Sequence, residues 1–98
     1  MGSYRLSLQA RNQVRDIDRF TKRRFGLYQA QAYHAGLERT FGLLADFPKM
    51  GVAADELLTG VRRFRFQSHV IFYTEQGSGI LIRAIFHERQ TVRPNLFE

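Results

Sequence analysis

The chain has no cysteine, which excludes disulfides and thiolate metal sites and fits a reducing compartment. Lysine is nearly absent too: only Lys22 and Lys49 stand among fifteen basic residues. No apolar run approaches the roughly 20 residues of a membrane span. No secretory pattern opens the chain, and Leu6 occupies the Ser/Thr position that a myristoylation motif starting at Met1-Gly2 requires. These absences make a cytoplasmic protein with no membrane partner the expectation. There is no repeat, no low-complexity segment and no Gly-rich phosphate loop. No two histidines sit at ligand spacing and no carboxylate cluster accompanies them, so neither a metal nor a cofactor is expected.

What is present fits one small domain spanning residues 1–98, with 44% hydrophobic residues. A domain of this size stabilises itself modestly, which suits a standing partner. The net charge of +6 and the pI near 10.5 point to anionic partners, whether nucleic acid or an acidic polypeptide. Arginine's planar donor fork matches carboxylate and phosphate; arginine-rich codon usage would give the same bias.

The segment "SYRLSL" alternates and reads as a short first strand, with Ser7 placed to cap a helix. From Leu8 to Phe25 the residues Ala10, Val14, Ile17, Thr21 and Phe25 recur at spacings of three and four, one face of an amphipathic helix. Gly26 follows as its C-cap. Arg11, Arg15, Arg19, Lys22 and Arg23 line the other face. A second helix is expected from about Tyr28 to Phe47, with Ala30, Tyr33, Leu37, Phe41 and Leu44 as its stripe and Pro48 as its stop. The short link implies an antiparallel helical hairpin. "PKMGVAADELLTG" reads as a loop with one short helical turn. The period then switches to two: "VRRFRF", "HVIFYTE" and "GILIRAIFHER" read as strands, joined at Gln67-Ser68 and by the hairpin turn "QGSG". The order strand–helix–helix–three strands predicts an α+β fold, an antiparallel sheet with a helical hairpin packed on one face.

Alternation sorts the strands into faces. Ile80, Ile82, Ala84 and Phe86 form an apolar face for the helices. Arg63, Arg65, Arg83, His87 and Arg89 fall on the opposite face, with Leu81 and Ile85 between them. Clustered arginines beside exposed apolar residues suit contact with a partner; a solvated basic face is the competing reading. Candidate partner-binding residues are therefore Arg62, Arg63, Arg65, Tyr73, Arg83, His87 and Arg89. Tyr73 shares a face with Ile71, as core or as a stacking platform. His69 reads as a structural histidine and His34 as a surface one. For a nuclease, His87 would act as acid or base with Arg83 and Arg89 steadying phosphate charge. Glu88 points away from His87, and a second proton-transfer group is missing unless Tyr73 or Glu88 serves.

The run "YRLS", the helical "AxxxVxDIxxFTxxRFGxxQAxxYxxGLxxxFxLLAxFPxxG", and above all "GVRRFxFxSHVIFY" with "ILIRAIFHERQ" resemble the ParE branch of the RelE/ParE toxin superfamily, from Tyr4 to about Gln90. Where relatives often carry an acidic residue and Leu, this chain has Gln13-Val14. The resemblance implies a RelE/ParE-like fold. It also implies the toxin of a type II toxin–antitoxin system, neutralised by a cognate antitoxin whose acidic, largely disordered segment folds around it. ParE-type toxins are associated with inhibition of DNA gyrase, whereas the RelE branch cleaves ribosome-bound mRNA. Arginine stabilises charge well and transfers protons poorly, so a non-enzymatic gyrase inhibitor is the leading expectation. A RelE-type mRNA endonuclease and a non-toxic basic RNA-binding module are the alternatives.

Overall fold

In the computed structural model, which describes residues 2–97, the chain runs β1 (Tyr4–Leu6), α1 (Leu8–Phe25), α2 (Leu27–Asp46), β2 (Val52–Ala53), β3 (Val61–Phe66), β4 (His69–Gln76) and β5 (Gly79–His87). Met1 and Glu98, the latter part of the tail that follows the last strand, lie outside the described residues. Short 3-10 turns occupy Pro48–Met50 and Pro94–Leu96. The expected α+β fold is present, with the helical hairpin packed on the sheet.

Ser7 caps α1 as its sequence position predicts: its hydroxyl accepts from Ala10 N at 3.0 Å. Gly26, at φ 96°, ends α1 and starts α2 without an intervening loop. Only glycine adopts such a backbone cheaply. Helix α2 begins at Leu27 and ends at Asp46, with Phe47 as its C-cap. Phe25, expected in the buried stripe of α1, is exposed instead, as the last residue of the helix before the Gly26 turn.

Two features of the sheet depart from expectation. Its strand order among the described residues is β1-β5-β4-β3-β2, and β1 runs parallel to β5. The α-helical hairpin carries the chain back to the same end before the sheet resumes, so the sheet is not wholly antiparallel. The loop after α2 also contributes the two-residue strand β2, paired with Arg62 and Arg63.

The larger departure is a bulge in β5. Register runs Ile71↔Ile85 and Phe72↔Ala84, then jumps to Tyr73↔Ile82, so Arg83 is the extra residue. Alternation inverts across it. Ile80, Ile82 and Ile85 join Ala10, Ile17, Leu37, Phe41 and Leu44 in the core beneath the helices. Ala84 and Phe86, expected on that same face, pack on the other side with Phe72, Val61 and Ala54. The bulge is held by α1 from outside the ladder: Ser7 donates its N–H to Ile82 O at 2.9 Å and its hydroxyl to Arg83 O at 2.7 Å. Gln13 then accepts from Ile85 N at 2.7 Å, standing in for the strand that β1 no longer supplies.

The second face of the sheet is a covered core rather than an open surface. Leu57 and Leu58 of the loop and Val92, Leu96 and Phe97 of the C-terminal tail pack over it. Phe97 meets Phe72 and Phe86 edge-on, with ring centroids 5.3 and 6.0 Å apart. Gln9 of α1 ties the tail down by donating to Leu96 O at 2.6 Å.

Candidate functional site

The bulge decides where each candidate side chain stands. Arg63 and Arg65 pair across β4 with Phe72 and Val70, on the tail-covered face. Arg83 belongs with them: its Nε donates to Thr74 Oγ1 at 3.2 Å, and Thr74 is the cross-strand partner of Val61. His87 does not. It pairs with His69, which pairs with Phe66, a residue packed against the helix-side core. The one-residue slip thus shifts His87 out of the ladder frame of Arg63, Arg65 and Arg83, although at the strand end it still edges the depression beside Arg63. Arg89 lies past the end of β5 in an exposed turn, where its N–H donates to His87 Nδ1 at 3.1 Å.

Most of the predicted arginines are engaged by their own chain. Arg62, on the helix side opposite Tyr73, donates to Gly51 O at 2.7 Å. Arg65 donates to Gln67 O at 2.9 Å and pairs with the Glu88 carboxylate. The Glu88 carboxylate thus holds the Arg65 guanidinium. Arg63 and Arg89 have no such partner among the described residues and are exposed. A depression of about 480 Å³ lies beside Arg63, lined by Val70, Phe72, His87, Glu88, Gln90 and Val92, so Arg63 and His87 edge the same hollow.

Tyr73 is core. It is 0% exposed, and its hydroxyl accepts from Gly51 N and donates to Pro48 O, both at 2.8 Å. Burial pushes the phenol above its ordinary pKa, opposed by the Gly51 hydrogen bond and by Arg62. The side chain pins the loop after α2 to the sheet and is closed to a partner.

At the other end of β4 the structure assembles a cluster that residue-by-residue reading does not. The rings of His69 and His87 meet edge-on with centroids 5.5 Å apart, and the Tyr33 hydroxyl of α2 lies 2.6 Å from His69 Nδ1. Burial, then the neighbouring His87, holds His69 below the ordinary histidine pKa. Burial raises Tyr33. The hairpin register alone does not signal the pair. A ladder counted without slip from the Gln76–Gly79 turn sets His69 opposite Phe86; the bulge sets it opposite His87. His34, expected at the surface, is half-buried and bridges the helices, its Nδ1 3.0 Å from Asp18 Oδ2 and its Nε2 3.5 Å from Glu38 Oε2. Among the described residues no group of three or more His, Cys, Asp or Glu side chains could hold a metal ion, and no helix is long and apolar enough to cross a membrane.

The chain is similar to known proteins along nearly its whole length. Residues 4–92 match the family model described as the ParE toxin of the type II toxin–antitoxin system parDE. Toxin ParE1 of Caulobacter vibrioides is 34% identical over 96 residues, covering 98% of this chain and 99% of the relative. Toxin ParE1 of Mycobacterium tuberculosis is 33% identical over 94 residues, covering 95% and 96%. Toxin ParE of Escherichia coli is 32% identical over 97 residues, covering 98% and 94%. A structure described as the chromosomal ParDE toxin–antitoxin system from P. aeruginosa superposes with a TM-score of 0.75, covering 89% of this chain and 96% of that one; at 17% identity it speaks for the fold alone. By sequence along almost its entire length, and by a fold that agrees, this chain belongs to the ParE toxin family of type II toxin–antitoxin systems.

Proposed function

We propose that the chain inhibits DNA gyrase by binding it, without cleaving a substrate, and is held inactive by a cognate antitoxin with an acidic, partly disordered segment. The observation that carries the non-enzymatic part is the engagement of Arg65 and Arg83 by groups other than His87. They are held by Glu88 and Thr74, so they are not available to steady a phosphate at the imidazole. Exposed Arg63, His87 and Arg89 are the contact residues, and Arg62, Arg65 and Arg83 frame the sheet that presents them. The antitoxin gains charge-assisted contacts with a +6 chain. A helix of the antitoxin fits the apolar seam of about 370 Å³ between α1 and α2, floored by Leu27, Ala30 and Ala35 and rimmed by Asp18, Lys22 and His34.

The His69–His87–Tyr33 cluster favours a second reading, an mRNA endonuclease, since two imidazoles could divide base and acid roles. Its weakness is the supply of cations: Arg89 adjoins the cluster through its backbone and Arg63 shares a depression with His87, while Arg65 and Arg83 are held by other partners. A supercoiling assay with purified gyrase tests the proposal. Loss of supercoiling that is relieved by the antitoxin is expected, with Arg89→Ala and His87→Ala weakening it while circular dichroism stays unchanged. Supercoiling at the uninhibited rate at a large excess of folded toxin would overturn it.

A further inference from the structure

The densest run of free cationic charge among the described residues sits on α1. That helix holds six of the fifteen basic residues, Arg11, Arg15, Arg19, Lys22, Arg23 and Arg24, against two acidic ones, Asp16 and Asp18. Asp18 is turned to His34, which leaves Asp16 as the one carboxylate facing the outer cations. At 100° per residue, Arg11, Arg15, Arg19 and Lys22 fall within about 80° of one another on the side opposite buried Ala10 and Ile17.

All four are exposed. Arg11 and Lys22 have no hydrogen bond or ion pair among the described residues. Arg15 has only a marginal 3.5 Å contact to Asn12, and Arg19 an exposed 3.6 Å pair with Asp16, of a kind that solvent renders weak. On the sheet, Arg62, Arg65 and Arg83 are spent on their own backbone and side chains, and the exposed Arg5 and Arg63 stand apart rather than in a row.

We infer that this stripe of α1 is a docking surface for the phosphate backbone of double-stranded DNA, bound without regard to sequence. The geometry fits a charged rod. Successive members four residues apart are separated by about 6 Å along the axis, and the stripe spans about 16 Å, while one strand of duplex offers a phosphate every 3.4 Å or so. What the stripe lacks selects among anionic partners. Between Arg11 and Arg23 its outward positions are Asn12, Arg15, Asp16, Arg19, Lys22 and Arg23, none of them apolar. The nearest apolar surfaces are exposed Leu8 at one end and the seam edged by Arg19 and Lys22 at the other. The antitoxin helix proposed above would therefore cover part of the stripe, and the surface is open in the free toxin. A protein partner, even an acidic one, needs an apolar centre to its interface. A single-stranded nucleic acid needs aromatic platforms for its bases, and Phe20 and Phe25 lie off the stripe. Duplex backbone needs cations alone. The inference does not depend on what enzyme the toxin inhibits, because the contact is to bare DNA.

The test is fluorescence anisotropy of the full chain with a labelled mixed-sequence 20-base-pair duplex, from 50 to 200 mM salt. Four phosphate contacts give a slope of log K against log salt of about −3.6, a weakening of about a hundredfold over that range. In the double variant Arg15→Gln/Lys22→Gln the slope falls to about −1.8 and the weakening to about tenfold. Arg39→Gln on α2 serves as the control and leaves the slope unchanged. Unaltered circular dichroism of the variants shows that they fold. Failure to bind duplex at 50 mM salt overturns the inference. So does a slope that the double variant does not change, or tighter binding to single-stranded RNA or to phosphatidylserine vesicles than to the duplex. A gyrase assay is not part of this test, so a negative result here leaves the proposed function standing.

Discussion

Replacing Tyr73 by phenylalanine separates a structural from a contact role for the most buried candidate in the sequence. The ring volume is kept, so the change removes only the hydroxyl and its two hydrogen bonds, to Gly51 N and Pro48 O at 2.8 Å each. Gly51 is buried, and its N–H is left without an acceptor, costing about 1–3 kcal/mol; loss of the bond to Pro48 O adds about 1 kcal/mol. The sum, about 2–4 kcal/mol, is a large share of the roughly 5–15 kcal/mol that stabilises a domain of this length. With a urea m-value of about 1.5 kcal/mol/M for a small domain, the midpoint of urea unfolding followed by circular dichroism should fall by roughly 1.5–2.5 M. A midpoint within about 0.3 M of the parent, together with lost inhibition of the target, would refute the reasoning. Tyr73 would then be a contact residue reached through an opening of the loop.

Gly51→Ala should destabilise the same junction, because a Cβ there would sit 2.4 Å from the Tyr73 hydroxyl oxygen and 2.9 Å from Arg63 O; thermal unfolding of the single and double variants should be strongly non-additive. Gln13→Ala leaves Ile85 N without its 2.7 Å acceptor and should cost about 1–3 kcal/mol, read by chemical denaturation; an unchanged midpoint would show that β5 does not need this side chain. Stability should fall on acidification below the ordinary histidine pKa of about 6.5. His69 is held below that value by burial, so its contribution is present above it and is lost as pH falls through the folded-state pKa. His69→Gln should flatten that part of the stability–pH curve, and a curve of unchanged shape would move the effect elsewhere. Phe97→Ala should cost about 1–3 kcal/mol by uncovering Phe72 and Phe86. Hydrogen exchange should then show faster opening in β4 and β5, and unchanged protection there would mean that the tail does not seal this face.

The helices and the three long strands were legible because each carries a pattern of one period. Ser7, Gly26 and Pro48 punctuate the helices through side-chain and backbone chemistry that acts locally. The faces of β5 were not legible, for two physical reasons. Both sides of "ILIRAIF" are buried, so neither alternation frame exposes a contradiction, and a bulge at Arg83 leaves no compositional mark such as glycine. The anchors of that bulge, Ser7 and Gln13, act from 72 or more residues away in sequence. Gln13 stood out only as a departure from its relatives, and the structure gives the departure a task. The parallel pairing of β1 and the covering of the second face by the tail were hidden for the same reason: each depends on where distant segments return, which spacing within a segment does not encode. Arg62, Arg65 and Arg83 read as free charge in sequence because their partners, Gly51, Glu88 and Thr74, are brought to them only by the sheet.

Binding and catalysis differ most plainly in stoichiometry. Gyrase of known active concentration is titrated with the purified toxin, and supercoiling is followed beside a translation reaction in which mRNA ends are mapped. The account predicts inhibition that rises linearly and saturates near equivalence with gyrase, reverses on adding antitoxin, and leaves the mRNA intact. Codon-specific mRNA cleavage at toxin concentrations far below that of the ribosomes, with supercoiling unaffected, would contradict it.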